Sequence, residues 1–345
     1  MKIVDVRTEP MDEPAVTLPW RDGLPRRPTS EPQGFLVIET DDGVVGRAHT
    51  TKLVSVQALV EAQFSDELVG RDPLARELLW QRIWEINRLE YMPTTVVGLV
   101  DIALWDIAGQ SAGLPVHRLM GGYRDRIPAY ASTVTFGSVE EYLDVADQCL
   151  ALGYTAIKLH AWGDARRDAE LSQALRDHVG PTVDLMFDGS AGWDLADAVY
   201  VGRALAEARY LWYEEPMKEY SIGSYRRLGA AVDVPLLVAE VAEGAHWTVA
   251  DFISQTNATY VRTSAGFKGG LTGALRVAHL ADSFQLRAEV HGGGLPNEHL
   301  CMAIPNTTYY ESLVVSNPVR ADPRLDSNAD LVAPDSPGLG WRLPG

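Results

Sequence analysis

The sequence predicts an α/β protein built mainly as a barrel of alternating strands and helices. Beyond Gly121 and Gly122, short apolar runs alternate with polar helical stretches, which is the pattern of βα units. There are eight such runs, and eight parallel strands close a (β/α)8-type barrel. The chain of 345 residues is also longer than a single barrel of this kind usually needs. A second, smaller domain is therefore expected.

The predicted barrel strands are the apolar runs at 127–133, 155–160, 184–188, 211–215, 236–240, 259–264, 286–291 and 310–315. An open doubly wound sheet is the alternative fold. It is disfavoured because no glycine-rich phosphate turn follows an early strand, and the glycines of VHGGG come only after the seventh strand. In a barrel the active site lies at the carboxyl ends of the strands, so residues that end these runs are the candidates for chemistry.

The N-terminal part predicts a small sheet followed by helices. Residues 1–10 and 34–50 have strand composition, and Asp-Asp-Gly at 41–43 is suited to a hairpin within the second segment. Residues 53–120 are rich in helical patterns, and apolar residues recur at helical spacing from 97 to 108, which predicts a buried helix.

A proline-rich segment separates the first two predicted strands. Residues 8–32 contain six prolines together with Trp20, Arg21, Arg26 and Arg27. This composition is typical of a loop, and aromatic and cationic side chains on a loop are suited to recognition. Two interpretations stay open, a solvated connector and a lid that covers a substrate.

Composition and charge restrict the class of protein. With 46% hydrophobic and 22% charged residues the chain is typical of a globular protein, so disorder is disfavoured. A formal net charge of -17 disfavours nucleic acid or an anionic membrane as a partner, whereas a small anionic substrate stays compatible because local cations control the field in a pocket. No basic stretch leads into an apolar run at the N-terminus, and the two cysteines lie far apart, which predicts a cytoplasmic protein with reduced thiols.

Three successive predicted strands end in a carboxylate, and this repetition is the strongest chemical signal. The acids are Asp188, Glu214 and Glu240. Neighbouring acids at one barrel mouth repel one another unless a cation lies between them. Carboxylate oxygens without histidine or cysteine are suited to a hard ion, so the pattern predicts a Mg²⁺ site. The alternative is three strand ends that are solvated separately.

The other candidates for catalysis lie on the second, seventh and eighth predicted strands. Lys158 and His160 are two residues apart and point to the same side, so Lys158 is expected to hold a substrate carboxylate and His160 to act as a base. A snorkelling lysine with a packed histidine is the alternative. His291 precedes three glycines and is a candidate second proton-transfer group. Glu311 is expected either to hydrogen-bond a developing enediolate if protonated, or to form a structural ion pair with an arginine.

These residues resemble those of the enolase superfamily, specifically its mandelate racemase and muconate lactonizing enzyme-like members. The resemblance covers almost the whole chain. It is carried by VDIALWDIAGQSAGLPVHRLMGG at 100–122, the strand ends LMFDGS, WYEEP and PLLVAE, KGGLTGALRVAHLA at 268–281, and PGLGWRL at 337–343.

The resemblance implies a (β/α)7β barrel of the TIM type with an N-terminal α+β capping domain. On this basis the capping domain is expected at 1–124, the barrel at 125–325, and a C-terminal segment that returns to the capping domain at 326–345. It also implies that Asp188, Glu214 and Glu240 hold Mg²⁺, that a base removes the proton next to the substrate carboxylate, and that the ion stabilises the enediolate.

Two residues depart from the family pattern. Many relatives carry Lys-x-Lys on the second strand with the second lysine as base, whereas this chain has His160, whose ordinary pKa of about 6.5 suits a base at neutral pH. Relatives with an Asp-His dyad place an aspartate five residues before the Gly-Gly pair, where this chain has Ser264. Without that partner, His291 is expected to act as an acid that protonates a leaving oxygen.

A base and an acid with fixed roles favour β-elimination from a sugar acid, as in an acid-sugar dehydratase or a cycloisomerase that opens an anhydro-sugar or lactone ring. Trp20, Arg21 and His49 are the expected substrate contacts. A racemase or epimerase of a 2-hydroxy acid is the alternative, and a non-catalytic sugar-acid binding protein is a third interpretation. A homo-oligomer is also expected.

Overall fold

The computed structural model describes residues 1–12, 18–25 and 32–342. Arg26 and Arg27 of the proline-rich segment, and the last residue of the PGLGWRL motif, lie outside the described residues. Among the helices of the described ranges, none has both the length and the apolar character needed to cross a membrane.

The N-terminal sheet has three antiparallel strands in the order β1-β2-β3. They are β1 (Ile3–Pro10), β2 (Gly34–Thr40) and β3 (Val45–Thr50). The turn between β2 and β3 contains Gly43, whose φ of 83° is in the left-handed region that favours glycine. The predicted strands and hairpin of this part of the chain are confirmed.

Helices follow this sheet, as predicted. They are α1 (Leu53–Leu59), a π-helical turn (Val60–Phe64), α2 (Ser65–Leu68), α3 (Arg76–Glu90), α4 (Thr94–Ala112) and α5 (Val116–Leu119). Helix α4 is buried from Val96 to Gly109 and ends at Gly113, which has a φ of 65°. It is buried because it packs against β3 on one side and against a barrel helix on the other.

Eight parallel strands form the barrel in sequence order, and the last strand returns to pair with the first. The strands are β4 (Arg126–Thr133), β5 (Ala156–His160), β6 (Asp184–Asp188), β7 (Trp212–Glu214), β8 (Leu236–Val238), β9 (Tyr260–Thr263), β10 (Arg287–Val290) and β11 (Tyr310–Val314). Because β11 pairs with β4, the alternative of an open doubly wound sheet is wrong. Within the described ranges no strand ladder joins β10 to β11, and side chains connect that seam.

Seven helices separate these eight strands, which confirms the (β/α)7β arrangement with its N-terminal cap. They are α6 (Val139–Ala151), α7 (Ala165–Val179), α8 (Leu195–Glu207), α9 (Ile222–Gly229), α10 (Ala245–Gln255), α11 (Gly270–Ser283) and α12 (Leu295–Ala303). Side chains that accept backbone N–H groups begin four of them, namely Ser138, Asp164, Asp194 and Ser221.

Five predicted strands end earlier in the structure than in the sequence analysis, and those at 259–264, 286–291 and 310–315 do so by one residue. The runs at 211–215 and 236–240 were expected to be strand throughout, but β7 ends at Glu214 and β8 ends at Val238. The reason is local, since Glu215 and Ala239 have φ values of 37° and 66° and leave the extended conformation. Glu240 therefore lies in a turn beyond its strand.

A ninth strand was missed. Strand β12 (Asp330–Val332) pairs antiparallel with β4, and in this pairing Leu331 lies opposite Ile127. It is too short for an alternating pattern, although Leu331 is buried. The chain then returns to the capping part, where Leu339 N donates to Asp106 of α4 at 2.8 Å and Trp341 Nε1 to Arg47 O at 2.9 Å. The domain limits at 124/125 and 325/326 stay predictions.

Inside the barrel, side chains are stacked in layers along the strands. The apolar layer is a separate buried cluster formed by Tyr130, Ala156, Met186, Trp212, Leu237, Tyr260 and Tyr309. Two residues further along the same strands, and hence on the same face, come the charged side chains of Lys158, Asp188, Glu214, Arg262 and Glu311. The alternation of the strands thus places charge directly above an apolar base.

Candidate active site

The strand-end acids Asp188, Glu214 and Glu240 come together at the carboxyl end of the barrel. Parallel pairing places Asp188 beside Glu214, and Glu240 follows the next strand. All three are buried, with 3%, 0% and 6% of their surface exposed. One ligand atom from each of Glu214, Glu240 and His291 lies within 4.8 Å of the others, an arrangement able to hold a metal ion. The ammonium of Lys158 contacts both Asp188 and Glu214 and so connects Asp188 to this group.

The donor set fits a hard divalent cation. Glu240 Oε2 is buried without a hydrogen bond to any described residue, although His291 Nδ1 lies 3.2 Å away. An orphaned carboxylate oxygen aimed at neighbouring acids is costly unless a cation binds there. Carboxylate oxygens are the ligands that Mg²⁺ prefers. Glu214 and Glu240 thus approach each other directly, Asp188 is connected to Glu214 through Lys158, and His291 lies beside Glu240.

The turn that carries Glu240 is held from both sides, which the sequence did not reveal. The Glu219 carboxylate accepts N–H groups from Ala239, Val241 and Ala242. On the other side, Lys268 Nζ is fully buried and donates to the carbonyl groups of Ala239, Glu240 and Ala242 at 2.6, 3.0 and 3.2 Å. Burial lowers the pKa of Lys268 to about 8. These contacts fix the backbone from which Glu240 projects.

Asp188 is the strand-end acid with the clearest electrostatic environment. Its carboxylate accepts from Ser190 N at 2.8 Å and lies 3.1 Å from His160 Nε2 and 3.4 Å from Lys158 Nζ. Burial opposes ionisation, but His160 and Lys158 outweigh it and hold the pKa of Asp188 below its usual value. Asp188 is thus negatively charged.

Lys158 lies beneath these acids and has no exposed surface. Its ammonium contacts Glu311 at 2.8 Å, Glu214 at 3.1 Å and Asp188 at 3.4 Å. An ammonium has three N–H donors, and here each faces a carboxylate of the protein. The alternative of a lysine that snorkels to solvent is wrong. The expected contact of Lys158 with a substrate carboxylate stays a prediction.

His160 is oriented by the backbone of the neighbouring strand. Its Nδ1 lies 2.6 Å from the carbonyl oxygen of Thr133, and a carbonyl only accepts, so Nδ1 carries the proton. Nε2 then faces Asp188, and the ring of Trp20 lies 4.7 Å from the imidazole. The bond from Nδ1 fixes the orientation of the ring, with Nε2 directed to the strand-end acids.

His291 faces the same acids from the opposite side of the barrel mouth and is 27% exposed through its side chain. Nδ1 lies 3.2 Å from Glu240 and 3.4 Å from Glu311. Burial acts to lower its pKa, but these two carboxylates outweigh burial and raise the pKa above its usual value. The side chain of Ser264, by contrast, accepts from Phe267 N at 3.1 Å within its own turn.

Glu311 forms an ion pair rather than a neutral hydrogen-bond donor. It contacts Lys158 at 2.8 Å and accepts from Ser132 Oγ at 2.8 Å and Gly292 N at 2.7 Å. Although burial opposes ionisation, Lys158, His291 and Arg262 hold its pKa well below the usual value. The geometry favours the ion-pair alternative, with lysine as the nearer cation and an arginine 3.8 Å away.

The expected substrate contacts are distributed unevenly. Trp20 covers His160, and Arg21 Nε donates to Ser190 O at 2.7 Å, next to Asp188, so the loop lies over the strand ends. Gly192 leaves room for Arg21, because a Cβ there would lie 3.1 Å from its Cδ. His49 packs edge-on against Phe35 in the N-terminal sheet. Its contact with substrate stays a prediction.

Besides Lys268, a second buried cation in this region was missed. Arg262 on β9 is 1% exposed and pairs with Glu214. Arg262 lies two residues after Tyr260 on the same strand. The alternation of side chains along a strand could therefore have placed it on the inward face.

Comparison with known protein families follows the same division of the chain. Residues 27–121 match the family described as Mandelate racemase / muconate lactonizing enzyme, N-terminal domain. Residues 141–344, more than half of the chain, match the family described as Enolase C-terminal domain-like.

Individual proteins are similar over nearly the full length. A 3,6-anhydro-alpha-L-galactonate cycloisomerase from Streptomyces coelicolor is 30% identical over 93% of this chain and 94% of its own length. The crystal structure of D-glucarate dehydratase from Agrobacterium tumefaciens complexed with magnesium has a TM-score of 0.90 and 31% identity, covering 99% of this chain and 96% of that one. A racemase from Streptomyces coelicolor A3(2) with bound magnesium has a TM-score of 0.85 and 27% identity, covering 98% and 96%.

Proposed function

The chain belongs to the enolase superfamily, in the mandelate racemase and muconate lactonizing enzyme group, and on this premise we propose that it is a magnesium-dependent sugar-acid dehydratase or cycloisomerase. The reaction removes the proton next to the substrate carboxylate, passes through an enediolate and ends in β-elimination. The observation that carries this proposal is the placement of His160 and His291 on opposite sides of the strand-end acids.

Asp188, Glu214 and Glu240 would hold the metal ion. A bound Mg²⁺ supplies Lewis acidity, which stabilises negative charge on the substrate carboxylate as the neighbouring proton leaves. The orphaned oxygen of Glu240 and the ionised state of Asp188 support this assignment. Magnesium in the similar dehydratase and racemase structures supports it as well.

His160 is proposed as the base. Its Nδ1 donates to Thr133 O, so Nε2, the nitrogen that points into the site, is the one that would take the substrate proton. Tyr142 Oη donates to the backbone carbonyl of His160 at 3.0 Å and adds rigidity to the strand end. Trp20 covers the imidazole and limits its contact with water.

His291 is proposed as the acid. The carboxylates of Glu240 and Glu311 favour its protonated form, so it has a proton to donate to a leaving hydroxyl or ring oxygen. Serine at position 264 interacts with its own turn, which leaves His291 without the aspartate of the Asp-His dyad. An acid and a base with different environments have fixed roles, and fixed roles favour elimination over racemization.

Racemization or epimerization of a 2-hydroxy acid is the second candidate. The position of two histidines on opposite sides of the acids is also suitable for inverting a carbon centre, and one similar solved structure is a racemase. The products separate the two functions, because elimination yields a keto acid and epimerization inverts one centre.

The test is incubation with Mg²⁺ in D₂O against a library of mono- and diacid sugars, with deuterium uptake and keto acid measured together. We expect His160→Asn to lose deuterium uptake by about 10²- to 10⁴-fold. His291→Asn is expected to retain uptake but to lose keto acid. His178→Asn, on the surface beside Asp147, is the matched control and should behave as wild type. Full activity in both site variants would show that the acid and base assignments are wrong.

A further inference from the structure

Arg262 has a place in the metal site that neither the sequence pattern nor the proposed chemistry accounts for. Its guanidinium points into the barrel from β9, and every nitrogen has a partner. Nε and Nη2 donate to the two oxygens of Glu214, while Nη2 also donates to Tyr130 Oη at 3.0 Å and Nη1 to Val290 O at 3.1 Å. These bonds fix both the guanidinium and the Glu214 carboxylate.

Two buried cations hold the acids beneath the barrel mouth without a metal ion. Lys158 contacts Asp188, Glu214 and Glu311, and Arg262 contacts Glu214 and lies 3.8 Å from Glu311. Asp188 lies at the same level and also faces His160, whereas Glu240 lies in the turn beyond its strand and faces His291. Glu214 is therefore the strand-end acid that both buried cations hold in the absence of a metal ion.

The pairing limits what Glu214 can offer to a metal ion. Fork-to-fork pairing with a guanidinium uses one lone pair on each carboxylate oxygen, so the ion must share Glu214 with a permanent cation. Arg262 Nε also lies 3.7 Å from Glu240 Oε2, the oxygen that lacks a hydrogen bond to any described residue. A fixed positive charge at this distance opposes the binding of a second cation.

We propose that Arg262 is a positioning residue that substitutes for the metal ion when the ion is absent. It holds Glu214 in place and keeps the three strand-end acids together in the metal-free protein. The same charge weakens the binding of Mg²⁺, so that the site exchanges the ion more readily than a site of three acids alone. This inference rests on the proposed function in one respect, namely that these acids bind Mg²⁺.

A purely structural role for Arg262 is the competing explanation, because a buried ion pair above the apolar layer also fills space. The two explanations predict different effects of replacing Arg262 on stability and on the affinity for Mg²⁺. A structural residue would lower stability equally with and without Mg²⁺ when it is replaced. A residue that substitutes for the ion would lower stability mainly in the metal-free protein and would increase the affinity for Mg²⁺ on removal.

The experiment compares Arg262→Gln with wild type after removal of metal by EDTA and dialysis. Titration calorimetry with MgCl₂ gives the Kd, and thermal unfolding with and without MgCl₂ gives the stability. We expect Arg262→Gln to bind Mg²⁺ about tenfold more tightly, since a nearby positive charge is lost. Its metal-free Tm should fall by several degrees, about as expected for a lost ion pair, and MgCl₂ should restore most of the loss.

Two control variants make the result specific. Arg262→Lys keeps the charge but not the fork, so its Kd should stay within about threefold of wild type. Arg176→Gln removes another buried arginine, which binds carbonyl groups of Gly180, Val183 and Ala208 away from the strand-end acids. It should lower Tm by a similar amount with and without MgCl₂ and should leave the Kd unchanged.

The outcomes are decisive. An unchanged or weaker affinity in Arg262→Gln, or a loss of Tm that MgCl₂ does not restore, would overturn the inference. If the metal-free variant does not fold, the inference requires that MgCl₂ restores folding, and a variant unfolded in both conditions would show a purely structural role. Failure of wild type itself to bind Mg²⁺ would instead refute the proposed function.

Discussion

The apolar layer and the strand-end acids occupy successive levels of the same strands, yet they are organised by opposite physical effects. The apolar layer is a close-packed cluster in which Met186, Trp212 and Leu237 have no exposed surface. The acids two or three residues further along repel one another, and cations on the same level hold them. The lower level therefore supplies stability, and the upper level supplies a site whose stability depends on what binds there.

Leu237→Ala tests the lower level and should have the largest effect on stability. The side chain is fully buried, so its truncation removes apolar contacts and leaves a cavity. We expect the free energy of unfolding to fall by up to about 5 kcal/mol. Denaturation by urea measures this change. The Kd for Mg²⁺ should stay within about threefold of wild type, and a large change in that Kd would break the separation of the two levels.

Glu240→Gln tests the upper level and should have the opposite profile. The amide keeps the shape of the side chain but removes the charge that faces Glu214 and His291. We expect turnover to fall about 10³-fold, which corresponds to about 4 kcal/mol. The urea midpoint of the metal-free protein should fall only slightly, because the lost charge is attracted by His291 but repelled by Asp188. A marked loss of stability in EDTA would show that Glu240 stabilises the fold.

Binding of Mg²⁺ tests the comparison of the two levels directly, because the ion should bind only at the upper level. Mg²⁺ at about 100 times its Kd should stabilise the folded protein by about 2.7 kcal/mol. Thermal unfolding in EDTA and in MgCl₂ measures this effect, and Leu237→Ala should show the same gain as wild type. If MgCl₂ raised the Tm of Glu240→Gln as much as that of wild type, the ion would be binding elsewhere.

The smallest effect is expected from the loop above both levels. Trp20 is 37% exposed and its ring lies tilted over His160, so its removal uncovers the proposed base without opening a core cavity. We expect Trp20→Ala to lower kcat/KM about tenfold, or about 1.4 kcal/mol, with no change in the urea midpoint. Steady-state kinetics on a substrate from the D₂O screen measures it. If Trp20→Ala had the same kcat/KM as wild type, the loop would be a connector and not a cover of the active site.

The sequence identified the acids of the upper level but not the side chains that contact them. Strand-end carboxylates are visible as single letters after apolar runs, which is why Asp188, Glu214 and Glu240 could be assigned together. The partners of those acids depend on three-dimensional placement. Lys158 was expected to face the substrate because the sequence does not reveal that Glu311, distant along the chain, lies 2.8 Å from it.

The differences in strand length have a similar explanation. The runs ending at Glu215 and Glu240 looked extended because apolar and acidic residues say little about φ. The left-handed conformation of Ala239 is held by hydrogen bonds with Glu219 and Lys268, and the carbonyl of Glu215, which is also left-handed, accepts from Ala191 N; all three partners lie outside those runs. Strand β12 was missed because three residues are too few for a periodic pattern.

The return of the chain to its N-terminal sheet has a consequence for biosynthesis. Leu339 and Trp341 bind Asp106 of α4 and Arg47 of β3, which are made more than two hundred residues earlier. During translation the N-terminal unit therefore emerges first but waits for its final contacts until the barrel has been synthesised. Ribosome-bound chains that stop before residue 338 should carry an N-terminal unit more open to proteases than that of the released protein.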